Sequence, residues 1–328
     1  MLKGALLALG VLVVAAGLVL WLGALASLDW ERKHREATRQ LPAFHPVADP
    51  MLVRIAAGEQ HFRARIAGFG GKRGNLVLLH GFPETSAMWI PLIEAAAAKG
   101  YQVVAFDQRG YSPGARPLGA GAYGLDELIG DVFDVADAVG FDRFHLVGHD
   151  WGAVVGWMLV IQRPERVRSW TSLSIPHLLA FLNAIRNDAE QRRRSRYVLL
   201  FRLPWLPEQL FSFNDFALLR SVLFTDHSPA LVEEYLRVLG EPGAMTAAFN
   251  WYRAQPPPDA ETLDPELDLP VLYVWGNQDP AVARAGVEDQ RQYLKGAFME
   301  VELDTGHWLM ETETAAVVAA VVQHLDGS

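Results

Sequence analysis

The hexapeptide Val147-Gly148-His149-Asp150-Trp151-Gly152 carries the sharpest chemical signal in the chain. Small residues stand two before and two after Asp150, with an apolar strand pattern ahead (residues 144–147) and a helical pattern behind (residues 152–162). This is the spacing of a sharp strand-to-helix turn that lifts its central side chain above a sheet, where larger neighbours would collide. The lifted residue is a carboxylate, already ionised at neutral pH and a competent nucleophile without activation. Attack on a peptide or ester would give an anhydride. Attack on a saturated carbon bearing a leaving group gives an alkyl ester, so the residue type points to an sp3 carbon. An ordinary helix-capping aspartate would account for Asp150 alone, but not for the small residues around it.

An alkyl ester on Asp150 must be hydrolysed, which needs a base and a group that orients it. Asp279 follows the strand pattern at 271–275, and His307 follows the one at 298–303. The order nucleophile, acid, histidine then fits a strand-end triad. The chain has ten histidines, so position rather than residue type selects His307. The other strand end that could supply an acid reads Ser174-Ile175-Pro176, without a carboxylate, and Asp304 reads as a turn cap. His80-Gly81-Phe82-Pro83-Glu84 follows the strand at 76–79. The backbone N–H groups of Phe82 and Trp151 are therefore expected to form an oxyanion hole. Phe82–Pro83 is a candidate cis bond, because only proline makes that geometry cheap.

These residues must be positioned by strands and helices. Residues 47–69 alternate weakly and predict two short antiparallel strands; the glycine-rich stretch 68–74 then reads as a hairpin turn. A phosphate loop would follow a strand and open a helix, whereas this stretch precedes one. Strands are expected at 76–79, 103–106, 144–147 and 167–173, alternating with helices at 86–99, 125–139 and 152–162. Near-continuous apolar strands alternating with helices predict an α/β fold with a mostly parallel, doubly wound sheet. The alternation stops from 176 to 267, where the text is helical, aromatic and arginine-rich. It resumes with strands at 271–275 and 298–303 and a last helix at 311–324. The expected organisation is a core of residues 41–175 and 268–328, with 176–267 as a helical cap over the strand ends.

Residues 1–40 form a separate unit. No charge occurs from residue 4 to 28, and a helix of that length reaches roughly 37 Å, against about 30 Å of bilayer core. Arg32, Lys33, Arg35 and Arg39 follow it, with Lys3 alone before it, so a single-pass anchor would put the catalytic part in the cytoplasm. Ala24-Leu25-Ala26 offers the alternative of a cleaved export signal. Residues 41–328 hold 24 Lys/Arg against 35 Asp/Glu, a net of −11. An acidic chain of this kind is no nucleic-acid binder. The composition, 51% hydrophobic and 10% aromatic, excludes a disordered chain. The absence of cysteine removes thiol nucleophiles and cysteine metal sites, and no HExxH motif occurs; no metal or organic cofactor is expected. The run Arg192-Arg193-Arg194-Ser195-Arg196 reads as a solvated helix face or as a contact to anionic lipid.

From about residue 50 to 325 the chain resembles the α/β-hydrolase superfamily, and within it the epoxide hydrolases. HGFPE (80–84), DQRGYS (107–112), GHDWG (148–152) and GHW (306–308) carry the resemblance. It implies hydrolysis of a small apolar epoxide by water to a vicinal diol. It also implies two cap tyrosines that protonate the ring oxygen, matched here by Tyr252 in Asn250-Trp251-Tyr252-Arg253 and by Tyr197 after the arginine run, with Tyr235 and Tyr123 as fallbacks. A haloalkane dehalogenase would share Asp150, Asp279 and His307, but usually has Asn where Phe82 stands. A catalytically silent receptor on the same fold would not need the full set.

Overall fold

The computed structural model describes residues 51–255 and 267–328, with isolated positions before residue 51. Two strands open it, β1 (Met51–Ala57) and β2 (Gln60–Ala67), an antiparallel pair. Then follow β3 (Gly74–Leu79), α1 (Ile90–Ala98), β4 (Tyr101–Phe106), α2 (Leu125–Ala138), β5 (Phe144–His149), α3 (Trp151–Gln162) and β6 (Val167–Leu173). After the helical stretch come β7 (Val271–Gly276), α10 (Arg284–Asp289), β8 (Phe298–Leu303), α11 (Leu309–Thr312) and α12 (Thr314–Asp326). The eight strands form one sheet in the order β1-β2-β4-β3-β5-β6-β7-β8, parallel from β4 onward. Every residue of β5 and β7 is buried, as expected of strands covered on both faces.

The stretch 68–74 is not a hairpin turn. β4 lies between β2 and β3, so the segment crosses the end of β4 instead. A parallel β3–β4 pair satisfies one edge of each strand, and β2 pairs with the remaining edge of β4. The expected helix from residue 86 begins instead as a 3-10 turn, Ser86–Trp89, with Pro91 in the first turn of α1. The expected last helix starts earlier, at Leu309, and is interrupted at Glu313.

Between β6 and β7 the described chain is helical: α4 (Leu178–Asn187), α5 (Ala189–Arg194), α6 (Tyr197–Phe201), α7 (Leu206–Leu218), α8 (Pro229–Leu239) and α9 (Ala244–Ala254). Polar ties hold this insertion to the sheet. Glu234 of α8 pairs with both Arg63 and Arg65 of β2, and Trp251 Nε1 of α9 donates to the Arg109 carbonyl at 2.9 Å. The DQRGYS segment is the anchor for both. Asp107, which pairs with Arg63 despite burial, is held down at about 2, and Arg109 is bidentate to Asp131 at 2.7 and 2.6 Å. Among the described residues no helix is long and apolar enough to cross a membrane. The anchor expected over residues 1–40 lies outside the described residues save for a few positions, as do residues 256–266 before β7.

Candidate active site

Asp150 sits at the turn between β5 and α3 with φ 51° and ψ −120°, a left-sided backbone that side chains avoid unless the surroundings impose it. The flanking glycines show what imposes it. A Cβ on Gly148 would meet the Gly152 carbonyl oxygen at 2.4 Å, and one on Gly152 would meet the Leu79 oxygen at 2.1 Å. The turn is therefore packed backbone against backbone on β3.

The two oxygens of Asp150 have different surroundings. Oδ1 accepts the Phe82 N–H at 2.9 Å, and Oδ2 faces Nε2 of His307 at 3.6 Å. Phe82 comes this close because residue 81 is glycine: a Cβ there would stand 2.5 Å from Oδ1. The Phe82–Pro83 bond is cis. Trp151 is the first residue of α3, so its amide is one of the early N–H groups that a helix leaves unpaired.

Behind the imidazole, His307 Nδ1 donates to Asp279 Oδ2 at 2.8 Å. Asp279 is fully buried, and its other oxygen accepts the N–H groups of Ala281 (2.7 Å) and Val282 (3.2 Å). Burial alone would raise the Asp279 carboxyl; His307, the Ser174 hydroxyl and the Ala281 N–H hold it below the usual carboxylate range. Burial opposes a charge on His307, but Asp279 and Asp150 outweigh it and hold the imidazole well above the ordinary histidine range. Asp304 takes no part, accepting instead from Gln278.

Ser174, the residue that left the β6 end without a carboxylate, joins the site. Its Oγ donates to Asp279 Oδ2 at 2.7 Å and lies 3.2 Å from His307 Nδ1. It does so from φ 73°, rare for a residue with a side chain. Nothing in the sequence around Ser174 announces this role. The signal is the strained backbone, which exists only in the fold.

The aromatic insertion closes the site. Tyr252 of α9 packs edge-on against Trp151 (ring centroids 5.0 Å apart) and Phe82 (5.8 Å), and Tyr197 stands 6.3 Å from Tyr252. Arg253 pins α9 through a bidentate pair with Glu208 at 2.7 and 2.9 Å. Burial, with the charge of Asp150 added, raises the phenols of both Tyr252 and Tyr197 well above the usual tyrosine range, so both are protonated donors. The fallback tyrosines lie elsewhere: Tyr123 donates to the Pro117 carbonyl and Tyr235 to Glu311. Arg194 of the arginine run is not a free surface charge; it donates to the Asp279 and Val282 carbonyls and pairs with Glu190. A cleft of about 830 Å³ among Arg54, His61, Arg116, Tyr123 and Asn250 contains none of Asp150, Asp279, His307, Tyr197 and Tyr252.

Residues 74–314 match the alpha/beta hydrolase fold family. Epoxide hydrolase 4 of Homo sapiens is 33% identical over 293 residues, covering 82% of this chain and 79% of that protein. A solved structure described as novel epoxide hydrolases of the alpha/beta hydrolases superfamily in metagenomes from hot environments is 28% identical. It has a TM-score of 0.75 and covers 86% of this chain and 100% of that one. An epoxide hydrolase from Bacillus megaterium, 23% identical with a TM-score of 0.76, covers 83% of this chain and 99% of that one and bears on the fold. The chain belongs to the alpha/beta hydrolase fold family and is a hydrolase resembling the epoxide hydrolases.

Proposed function

We propose that this protein hydrolyses an epoxide to a vicinal diol through a covalent ester on Asp150. The observation that carries the reading is the division of the Asp150 carboxylate: one oxygen held by the Phe82 amide, the other turned toward His307. The names of the relatives support the substrate class.

Tyr197 and Tyr252 hydrogen-bond the ring oxygen. Oδ2 of Asp150 attacks a ring carbon, the carbon–oxygen bond breaks, and a phenol gives its proton to the departing alkoxide, a far stronger base. Ester formation removes the negative charge of Asp150. That charge helped hold the imidazole up, so its loss releases His307 toward its neutral form, and the proton that His307 gives up restores the phenol. Neutral His307, steered by Asp279, takes a proton from water. The hydroxide adds to the ester carbon, the N–H groups of Phe82 and Trp151 hold the oxyanion, the diol leaves with the proton from His307, and the new Asp150 carboxyl returns its own proton to the imidazole.

A single turnover in heavy-oxygen water tests this: the label is expected in Asp150, and an unlabelled Asp150 with labelled diol excludes the ester. Halide release from a matched alkyl bromide at the same efficiency would favour the dehalogenase reading; binding without turnover of either would favour a receptor.

The same reading treats 176–267 as a cap on a core of 41–175 and 268–328. It also keeps residues 1–40 as a single-pass anchor with the catalytic part cytoplasmic. The uncharged run and the basic cluster support this. Resistance of the full chain to alkaline extraction from membranes is expected; a mature amino terminus beyond residue 26 would instead show signal cleavage.

A further inference from the structure

A second cluster of ionisable side chains lies behind His307, outside the chemistry above. Glu84 comes from the segment after β3, Glu311 from α11, and His227 from the loop that leads into α8. One ligand atom from each falls within 4.8 Å of the others. His227 Nε2 is 3.8 Å from Glu84 Oε1 and 3.7 Å from Glu311 Oε1. The side chains of His227 and Glu84 have no solvent exposure and that of Glu311 has 3%.

Each carboxylate is fixed through one oxygen and open at the other. Glu84 Oε2 is 2.8 Å from His149 Nδ1, and Glu311 Oε1 accepts from Tyr235 at 3.2 Å. Glu84 Oε1, Glu311 Oε2 and both ring nitrogens of His227 are buried with no hydrogen-bond partner. Buried polar atoms are nearly always paired, so the unpaired Glu84 Oε1 and His227 Nε2, facing each other at 3.8 Å, mark an occupant between them. Two carboxylates facing each other across a closed gap call for positive charge between them.

We propose that Glu84, His227 and Glu311 bind a divalent transition-metal ion of the zinc or manganese class. One imidazole and two carboxylates form a donor set suited to such ions. Ligand atoms about 2.1 Å from a shared ion at a tetrahedral angle are about 3.4 Å apart. The His227 spacings of 3.8 and 3.7 Å need to contract by only a few tenths of an ångström, and the spacing between the two carboxylates, within 4.8 Å, by up to about 1.4 Å. Tyr235 and His149 supply the outer hydrogen bonds that orient such ligands. The ion would join the helical insertion, through His227, to the sheet side, through Glu84 and Glu311. His149 carries the link onward, since its Nε2 is 3.0 Å from the carbonyl oxygen of His307.

The experiment is metal analysis of the untagged full chain purified without chelator, with thermal melting before and after chelation and after adding zinc, manganese or cobalt(II). About one ion per chain is expected, with a fall in melting temperature on its removal and visible absorption bands from cobalt(II). His227→Gln and, separately, Glu311→Gln are expected to weaken the ion by at least the roughly 10- to 100-fold that changing an outer partner costs. Wild-type protein that is metal-free, and whose melting temperature none of the three ions moves, overturns the proposal and leaves the gap to water or a shared proton. So does an ion whose binding neither variant changes.

Discussion

Nε2 of His307 stands 3.6 Å from Oδ2 of Asp150, near enough for the two charges to interact and too far for a hydrogen bond. The same imidazole is hydrogen-bonded to Asp279 at 2.8 Å. The imidazole is thus held firmly from behind and loosely in front, which is where water enters in the proposed reaction once Asp150 carries an alkyl group.

Substituting the proposed nucleophile and base is expected to separate the two half-reactions. Asp150→Asn is expected to lower turnover by roughly 10,000-fold, in line with loss of a triad member elsewhere. His307→Gln is expected to form the ester and stall, seen as a mass increase on the peptide containing Asp150. Prompt diol release by that variant would remove His307 from its role.

Acidity should read out the charge balance. The His307 imidazole is raised in the free enzyme by Asp279 and Asp150, so its contribution to stability is full below the ordinary histidine value of about 6.5 and is lost as pH rises through the raised one. Asp279 is lowered, so its contribution is present above about 3.9 and is lost as pH falls through the lowered value. Melting temperature should therefore decline on both sides of a plateau, and Asp279→Asn should flatten both limbs. Ester breakdown, followed by stopped flow, should have an acid limb below the free enzyme's imidazole titration, because alkylation removes one of the two carboxylate charges.

The phenols can be weighed against each other. Tyr252→Phe is expected to slow epoxide opening by about 100- to 10,000-fold while sparing displacement of bromide, which leaves without a proton. Tyr252 packs on Trp151 and Phe82, whereas the Tyr197 ring packs on Phe201 and Tyr252, both in the helical insertion, so Tyr197→Phe should cost less. Equal losses on both substrates in Tyr252→Phe would mean that the ring packs rather than donates.

Close approach at the carboxylate is a packing requirement. Gly81→Ala would put a Cβ 2.4 Å from the Asp150 Cβ, and the expected destabilisation is about 1–3 kcal/mol with loss of activity. Denaturant titration alongside initial rates would check both parts.

Ser174 combines a useful hydrogen bond with an unfavourable backbone. Ser174→Ala loses the donor to Asp279 and keeps φ 73°; Ser174→Gly loses the same donor but relieves the backbone. Glycine is expected to be the more stable variant by about 1–2 kcal/mol, with both slowed in turnover to a similar degree. The reverse order of melting temperatures would show that the backbone there is not strained.

Much of the site was legible because its constraints are local. A tight turn needs small residues at fixed offsets, so Gly148, Asp150 and Gly152 declare themselves within five positions. Alternation of apolar strands with helices predicted a mostly parallel sheet, and with it which strand ends carry Asp279 and His307. The chemical choice of a carboxylate over a hydroxyl is also written in one residue.

Other features depend on contacts between distant segments, which no local pattern encodes. Insertion of β4 between β2 and β3 follows from competition for backbone partners across the whole sheet. Ser174 reaches Asp279, 105 positions away, only because β6 and β7 are neighbours. The arginine run looked uniform in sequence, yet packing turned Arg194 inward onto the Asp279 loop. Glu84, His227 and Glu311 come together from three separate segments. Residue types and turn spacings supplied the reagents; burial and long-range pairing decided which oxygen of Asp150 meets Phe82 and which meets His307, because that depends on how three strand ends converge in space.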